Sequence, residues 1–186
     1  NVIHLEAGVG LDWNTSAKEQ YSATSNLFDR WRRDGVLQQD ESPSYYLMRH
    51  SFPLCGKNMV RVGLIASVGL EDYAARQVLP HEFTQAPAIQ DRVWLMESLS
   101  ANISPIMSIY RDAGGELDRV YQQIMIGAPE FDATDESGGA TALWRITDPA
   151  VQSQIGEFFA SRPIYLADGH HRYEAARQYQ LDRHAE

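Results

Sequence analysis

An α+β fold, with a mixed sheet and flanking helices, follows from three features of this 186-residue sequence. Helical and strand periodicities both occur. They alternate without the regular βαβ rhythm of a doubly wound parallel sheet, and two of the strands are close enough in sequence to form a hairpin. Taken in order, Ser16-x-x-Glu19 has the form of a capping box opening a helix that carries Tyr21, Thr24, Phe28 and Trp31, with Gly35 placed to end it. Ser44 to His50 and Met59 to Val68 read as strands. In the second, Val60, Val62, Leu64 and Ala66 alternate, and Leu54-Cys55-Gly56-Lys57-Asn58 forms the turn between them. Pro87 suits the first turn of a helix facing Ile89, Val93, Met96 and Leu99 inward. Ile106 to Tyr110 reads as a strand, and Leu117, Val120, Tyr121 and Ile124 as a helix stripe. Gly127 to Thr141, rich in Gly, Asp and Glu, reads as a loop. Leu143 to Ile146 is a strand, and Asp148-Pro149 starts a helix with Val151, Ile155, Phe158 and Phe159.

Length and composition narrow the classes. Residues 1–186 amount to about one domain, and no internal repeat or linker divides them. The 44% hydrophobic content is that of a soluble globular protein, and no apolar run reaches membrane-spanning length. A formal charge of −9, from 16 basic and 25 acidic residues, argues against non-specific binding to nucleic acid or anionic lipid. The single cysteine, Cys55, excludes an internal disulfide framework and a thiolate metal cluster, so a cytoplasmic location is expected. The chain opens on Asn1 rather than methionine and stops soon after its most distinctive segment, so a fragment of a longer protein is expected.

That segment is Ile164 to Ala176. Four apolar or aromatic residues, Ile164 to Ala167, read as a buried strand, and Asp168-Gly169-His170-His171-Arg172 as a polar turn. Helical spacing resumes from Tyr173 to Tyr179. A glycine between strand and helix lets a ligand approach the backbone, a helix start offers free N–H groups to an anion, and Arg172 adds a forked cation matched to phosphate oxygens. A merely solvated turn is the plainer alternative, but it leaves paired histidines between an acid and an arginine without a reason.

Asp168-Gly169-His170-His171-Arg172 resembles the signature of a prokaryotic family called domain of unknown function 1015. The resemblance extends through His81-Glu82-Phe83-Thr84, Asp91-Arg92, Asn102-Ile103-Ser104-Pro105-Ile106, Tyr110 and Leu143-Trp144-Arg145-Ile146, in the family's order and over most of the chain. Family members are longer at both ends. The strand–Gly–x–x–Arg–helix element is also similar to one in the ParB/sulfiredoxin superfamily, which includes nucleotide-binding partition proteins, sulfiredoxins and kinases acting on free serine. That similarity implies a ParB/sulfiredoxin-like core and, through the kinases, ATP or ADP as phosphate donor.

The His81-Glu82-Phe83-Thr84 segment offers an imidazole, a carboxylate and a hydroxyl where a loop enters a helix. Alone it would read as a solvated pair and a helix cap; the family repeats a His-Glu-x-Thr segment here. Asp91 and Arg92 follow, either bracing the site or forming a helix-surface ion pair. Phosphoryl transfer needs donors and cations on the phosphates, a carboxylate for Mg²⁺ and a proton acceptor. The expected assignment places Gly169, His170, His171, Arg172 and Thr84 on the nucleotide, Asp168 and Glu82 on Mg²⁺, and Glu82, Asp168 and His81 in the chemistry. A small molecule is the expected acceptor. The sequence has no Walker-type loop, and Lys18 and Lys57 are its only lysines. Two further classes stay open: a nucleotide-binding regulator without turnover, and a metal-dependent hydrolase using His81, Glu82, Asp168, His170 and His171. Adjacent histidines seldom ligate one ion, and no His-Glu-x-x-His helix is present.

Overall fold

A computed structural model describes residues 2–6 and 17–185, with side chains described in the second stretch from Tyr21 to His184. The expected capping residue Ser16 lies outside the described residues, as does the side chain of Glu19. The class is α+β, but with two sheets rather than one. Where the sequence shows no boundary, the chain divides into two compact units, each assembled from separated segments.

The unit formed by residues 40–69 and 111–162 is built on an antiparallel sheet. Its strands are β1 (Tyr45–Leu54), β2 (Lys57–Ile65), β5 (Phe131–Thr134) and β6 (Ala140–Ile146), in the order β2-β1-β6-β5. The expected hairpin is there. Leu54 pairs with Lys57, leaving Cys55 and Gly56 as a two-residue turn with φ of 49° and 74°, the doubly positive combination whose twist matches paired strands. The segment expected to be a loop, Gly127 to Thr141, instead holds β5 and the start of β6. Asp135 accepts from the backbone of Ser137 and Gly139 and closes the turn between them. Every residue of β5 is exposed, so no alternation of apolar and polar residues marks it. Two helices complete the unit, α4 (Glu116–Ile124) and α5 (Pro149–Phe159). Asp148 caps α5 by accepting from Ala150 N, with Pro149 in its first turn. Leu47 pairs with Trp144 across β1 and β6, and both are buried, as are Ile146, Leu117, Tyr121, Ile155 and Phe158.

The other unit comprises residues 1–39, 70–110 and 163–186. Its helices are α1 (Ile3–Glu6), α2 (Ala17–Arg33), α3 (Ala86–Leu99) and α6 (His170–Ala185), and its strands are β3 (Val78–Leu79), β4 (Met107–Ile109) and β7 (Ile164–Asp168). This sheet is the mixed one: β7 is central, parallel to β3 and antiparallel to β4. Val78, Leu166 and Tyr173 form a buried cluster joining the sheet to α6, and Tyr21, Leu95 and Leu99 form another between α2 and α3. Helix α3 packs against both α2 and α6. The end of β7 and the start of α6 are therefore fixed from two sides. No helix among the described residues is long and apolar enough to cross a membrane.

Candidate functional site

Strand β7 ends at Asp168, a single glycine turns the chain, and α6 begins at His170. The expected polar turn from Asp168 to Arg172 is thus shorter than the residue types suggest, and His170, His171 and Arg172 form the first helical turn. Gly169 has φ of +91°, a conformation that L residues rarely adopt. The space over it is already filled. A Cβ there would lie 3.0 Å from Nε and Nη2 of Arg172, whose guanidinium lies over the glycine backbone. Arg172 also donates to the Pro105 carbonyl and pairs with Asp168 one turn back. The expectation that the glycine leaves room for a ligand is corrected: the close approach is made by the protein's own arginine.

The paired histidines face the loop before α3. The His81 backbone N–H donates to His170 Nε2 at 3.3 Å, and the Gln85 N–H donates to His171 Nε2 at 3.1 Å. Gln85 is the N-terminal cap position of α3 and makes no side-chain cap, so His171 satisfies a donor there from outside the helix. A backbone N–H only donates, so each Nε2 presents a lone pair and the ring proton of a neutral imidazole resides on Nδ1. His170 is 1% exposed, and its Nδ1 lies 2.9 Å from Glu82 Oε1 but off the line of a hydrogen bond. The contact holds the carboxylate beside the helix while leaving a buried polar atom without an aligned partner. His81 Nδ1 lies 2.7 Å from the Leu166 carbonyl, to which it donates, so its Nε2 keeps a lone pair. Its ring meets that of His170 edge-on, with centroids 4.5 Å apart.

These contacts bear on metal binding. One ligand atom from each of His81, Glu82 and His170 falls within 4.8 Å of the others. His170 Nδ1, however, carries the proton that its other nitrogen's hydrogen bond requires, and a protonated nitrogen ligates nothing. The imidazole set expected for a hydrolase therefore loses its buried member.

An open cleft of about 270 Å³ lies over this junction, lined by Asp168, Gly169, His170, His171, Arg172, Glu82, Ala88, Asp91, Arg92 and Glu6. Glu82 and Asp168, far apart in the chain, both line it. His81 and Thr84 are not among the lining residues. Asp91 and Arg92, expected either to brace the site or to form a surface ion pair, belong to a network whose other members, Tyr21, Glu6 and Ser104, sequence reasoning missed. Arg92, its side chain 22% exposed, contacts Asp91, donates 3.0 Å to Tyr21 Oη and 3.0 Å to Glu6 Oε1, and Glu6 in turn accepts from Ser104. Tyr21 Oη donates to Asp91 Oδ1 at 2.8 Å. Burial, then the bond to Asp91, pushes the Tyr21 hydroxyl up to about 12. This is a half-buried brace joining α1, α2 and α3, not a surface ion pair. No spacing in the sequence signals it, because Tyr21 and Asp91 are 70 residues apart.

Fold and cleft together define an α+β protein organised around a strand–glycine–helix junction. The chain belongs to the family described as "Protein of unknown function (DUF1015)", whose model matches residues 1–186. No curated protein and no solved structure matches the chain.

Proposed function

We propose that the β7–α6 cleft binds the phosphates of ATP or ADP together with Mg²⁺, and that the protein transfers a phosphoryl group to a small molecule. One observation carries the reading: Glu82, Asp168 and the first turn of α6 with Arg172 line the same cleft. This joins carboxylate donors, a helix N-terminus and a guanidinium, the parts that phosphoryl transfer needs. The strand–Gly–x–x–Arg–helix element is the part of the fold that supports a ParB/sulfiredoxin-like core.

The lining sets the conditions of binding. Glu6, Glu82, Asp91 and Asp168 oppose Arg92 and Arg172, so a bare polyanion meets net negative charge. Hard oxygen donors suit Mg²⁺, and Glu82 and Asp168 would hold it, supplying charge neutralisation to the transferring phosphate. Arg172 keeps guanidinium N–H groups beyond those given to Asp168 and Pro105 and would orient the phosphates. Glu82, steadied by His170, is placed to accept the nucleophile's proton.

Calorimetric titration with ATP and ADP, with and without Mg²⁺, tests the reading, followed by phosphorus NMR of mixtures with small hydroxyl-bearing acceptors. Mg²⁺-dependent binding and loss of the donor's terminal phosphate to an acceptor are expected. Binding without turnover on any acceptor would favour a regulator, and no binding at millimolar nucleotide would overturn the proposal.

A further inference from the structure

Phe83 stands between Glu82 and Thr84 as a fully exposed residue, touching nothing that shields it from water. A lone apolar residue on a surface is ordinary, but this one sits on a tethered loop. The backbone is tied to α6 at His81 through His170 and at Gln85 through His171. The His81 ring is bonded to the Leu166 carbonyl, and Glu82 is held beside His170. A phenyl ring is thus presented to solvent by a segment braced at both ends, next in sequence to a residue of the cleft wall.

We propose that Phe83 is the stacking platform for the planar base of a nucleotide whose phosphates occupy the cleft. The inference rests on the reading given under Proposed function and adds the element that selects a nucleotide over other polyphosphates. The cleft lining is almost wholly polar, with Ala88 its only apolar side chain, so beyond its imidazole and guanidinium planes it offers no benzenoid face to a base. Phe83 supplies that surface, and bracing removes the ordering entropy that a mobile loop would lose on binding. Base–aromatic stacking tolerates any base, so it specifies the class of ligand rather than one nucleotide.

The test compares Mg·ATP with Mg·tripolyphosphate on wild type, Phe83→Ala and Phe83→Trp by calorimetry. Stacking predicts that Phe83→Ala weakens ATP about 10-fold or more, within the range of roughly 5- to 150-fold that stacking contacts span. It predicts a tripolyphosphate affinity unchanged within about twofold and an unchanged melting temperature, since the ring packs against nothing. Phe83→Trp should keep ATP affinity and show indole quenching by ATP but not by tripolyphosphate. Equal ATP binding by wild type and Phe83→Ala, or equal weakening of both ligands, overturns the stacking role while leaving the phosphate site intact. A wild type that binds neither ligand overturns the site and the platform together. A Phe83→Ala protein that binds ATP normally but loses a protein partner would reassign the ring to an interface.

Discussion

Replacing Gly169 by alanine perturbs two quantities that the structure separates. The backbone at φ +91° lies beyond the left-handed helical region, where an L residue is strained by about 1–3 kcal/mol. The new Cβ also meets Nε and Nη2 of Arg172 at 3.0 Å, tighter than nearly all real contacts, so the guanidinium must move. Moving it loosens the bonds to Asp168 and Pro105. Because the Asp168 side chain is 70% exposed, that ion pair contributes at most about 1 kcal/mol. Together the terms come to about 1–4 kcal/mol, a fall in melting temperature of roughly 2–15 °C for a chain of this length. The measurement is thermal unfolding of Gly169→Ala, Arg172→Ala and the double variant. With Arg172 truncated the clash disappears and only backbone strain remains, so the glycine substitution should be milder by about 1 kcal/mol in that background. A Gly169→Ala protein melting within about 1 °C of wild type would refute the account of the junction. Equal effects in both backgrounds would show that the arginine does not fill the glycine's space.

Gly169→Val, bulkier and β-branched, should abolish measurable nucleotide binding, and a folded valine variant that binds ATP normally would remove the junction from the site. Arg172→Ala should weaken Mg·ATP about 10- to 100-fold by calorimetry, as loss of a charge-assisted phosphate contact implies, with a melting temperature shifted by only a few degrees. Glu82→Gln keeps an oxygen that can face His170 but removes the charge that would hold Mg²⁺, so Mg·ATP should bind more weakly by calorimetry and phosphate transfer followed by phosphorus NMR should vanish. Full turnover by this variant would exclude Glu82 from the chemistry. Tyr21 titrates near 10 unfolded but near 12 folded, so its contribution to stability is complete below pH 10 and is lost as pH rises from 10 to 12. Across that window wild type should lose on the order of 2–3 kcal/mol more than Tyr21→Phe in denaturant titrations; parallel alkaline profiles would contradict the buried hydroxyl.

What was legible in the sequence was whatever a local rule encodes. Alternation marked β2, proline after aspartate marked the start of α5, and a cysteine–glycine pair between strands marked the hairpin. The aspartate–glycine–histidine–histidine–arginine run marked the junction. Features set by long-range contact were not legible. Strand β5 is exposed throughout and pairs only with β6, so its residues need no alternation. The histidines looked like ligand-facing donors, yet they accept backbone N–H groups from a loop some 86 residues earlier, and residue type does not reveal which way an imidazole will bond. Asp91 and Arg92 read equally as a brace or as a surface ion pair, and the choice between them lies in distant contacts, Arg92 to Glu6 and Tyr21 with Ser104 on Glu6.

The two histidines also explain why the cleft can be both acidic and ordered. Four carboxylates line it against two guanidiniums, and each guanidinium already has a carboxylate partner: Arg92 has Glu6 and Asp91, and Arg172 has Asp168. Among the described residues, Glu82 has no arginine partner. Its neighbour is His170, whose Nδ1 lies 2.9 Å from the carboxylate and which, as a neutral ring, leaves the carboxylate's charge in place. An arginine in that place would have offset the negative potential at Glu82, as Arg172 does at Asp168. Because His170 is also buried and bonded to the His81 backbone, the same ring fixes the loop and the carboxylate at once. Under the proposed reading, that charge is available to a cation brought in with the ligand, and nucleotide binding should then depend on Mg²⁺ rather than merely tolerate it.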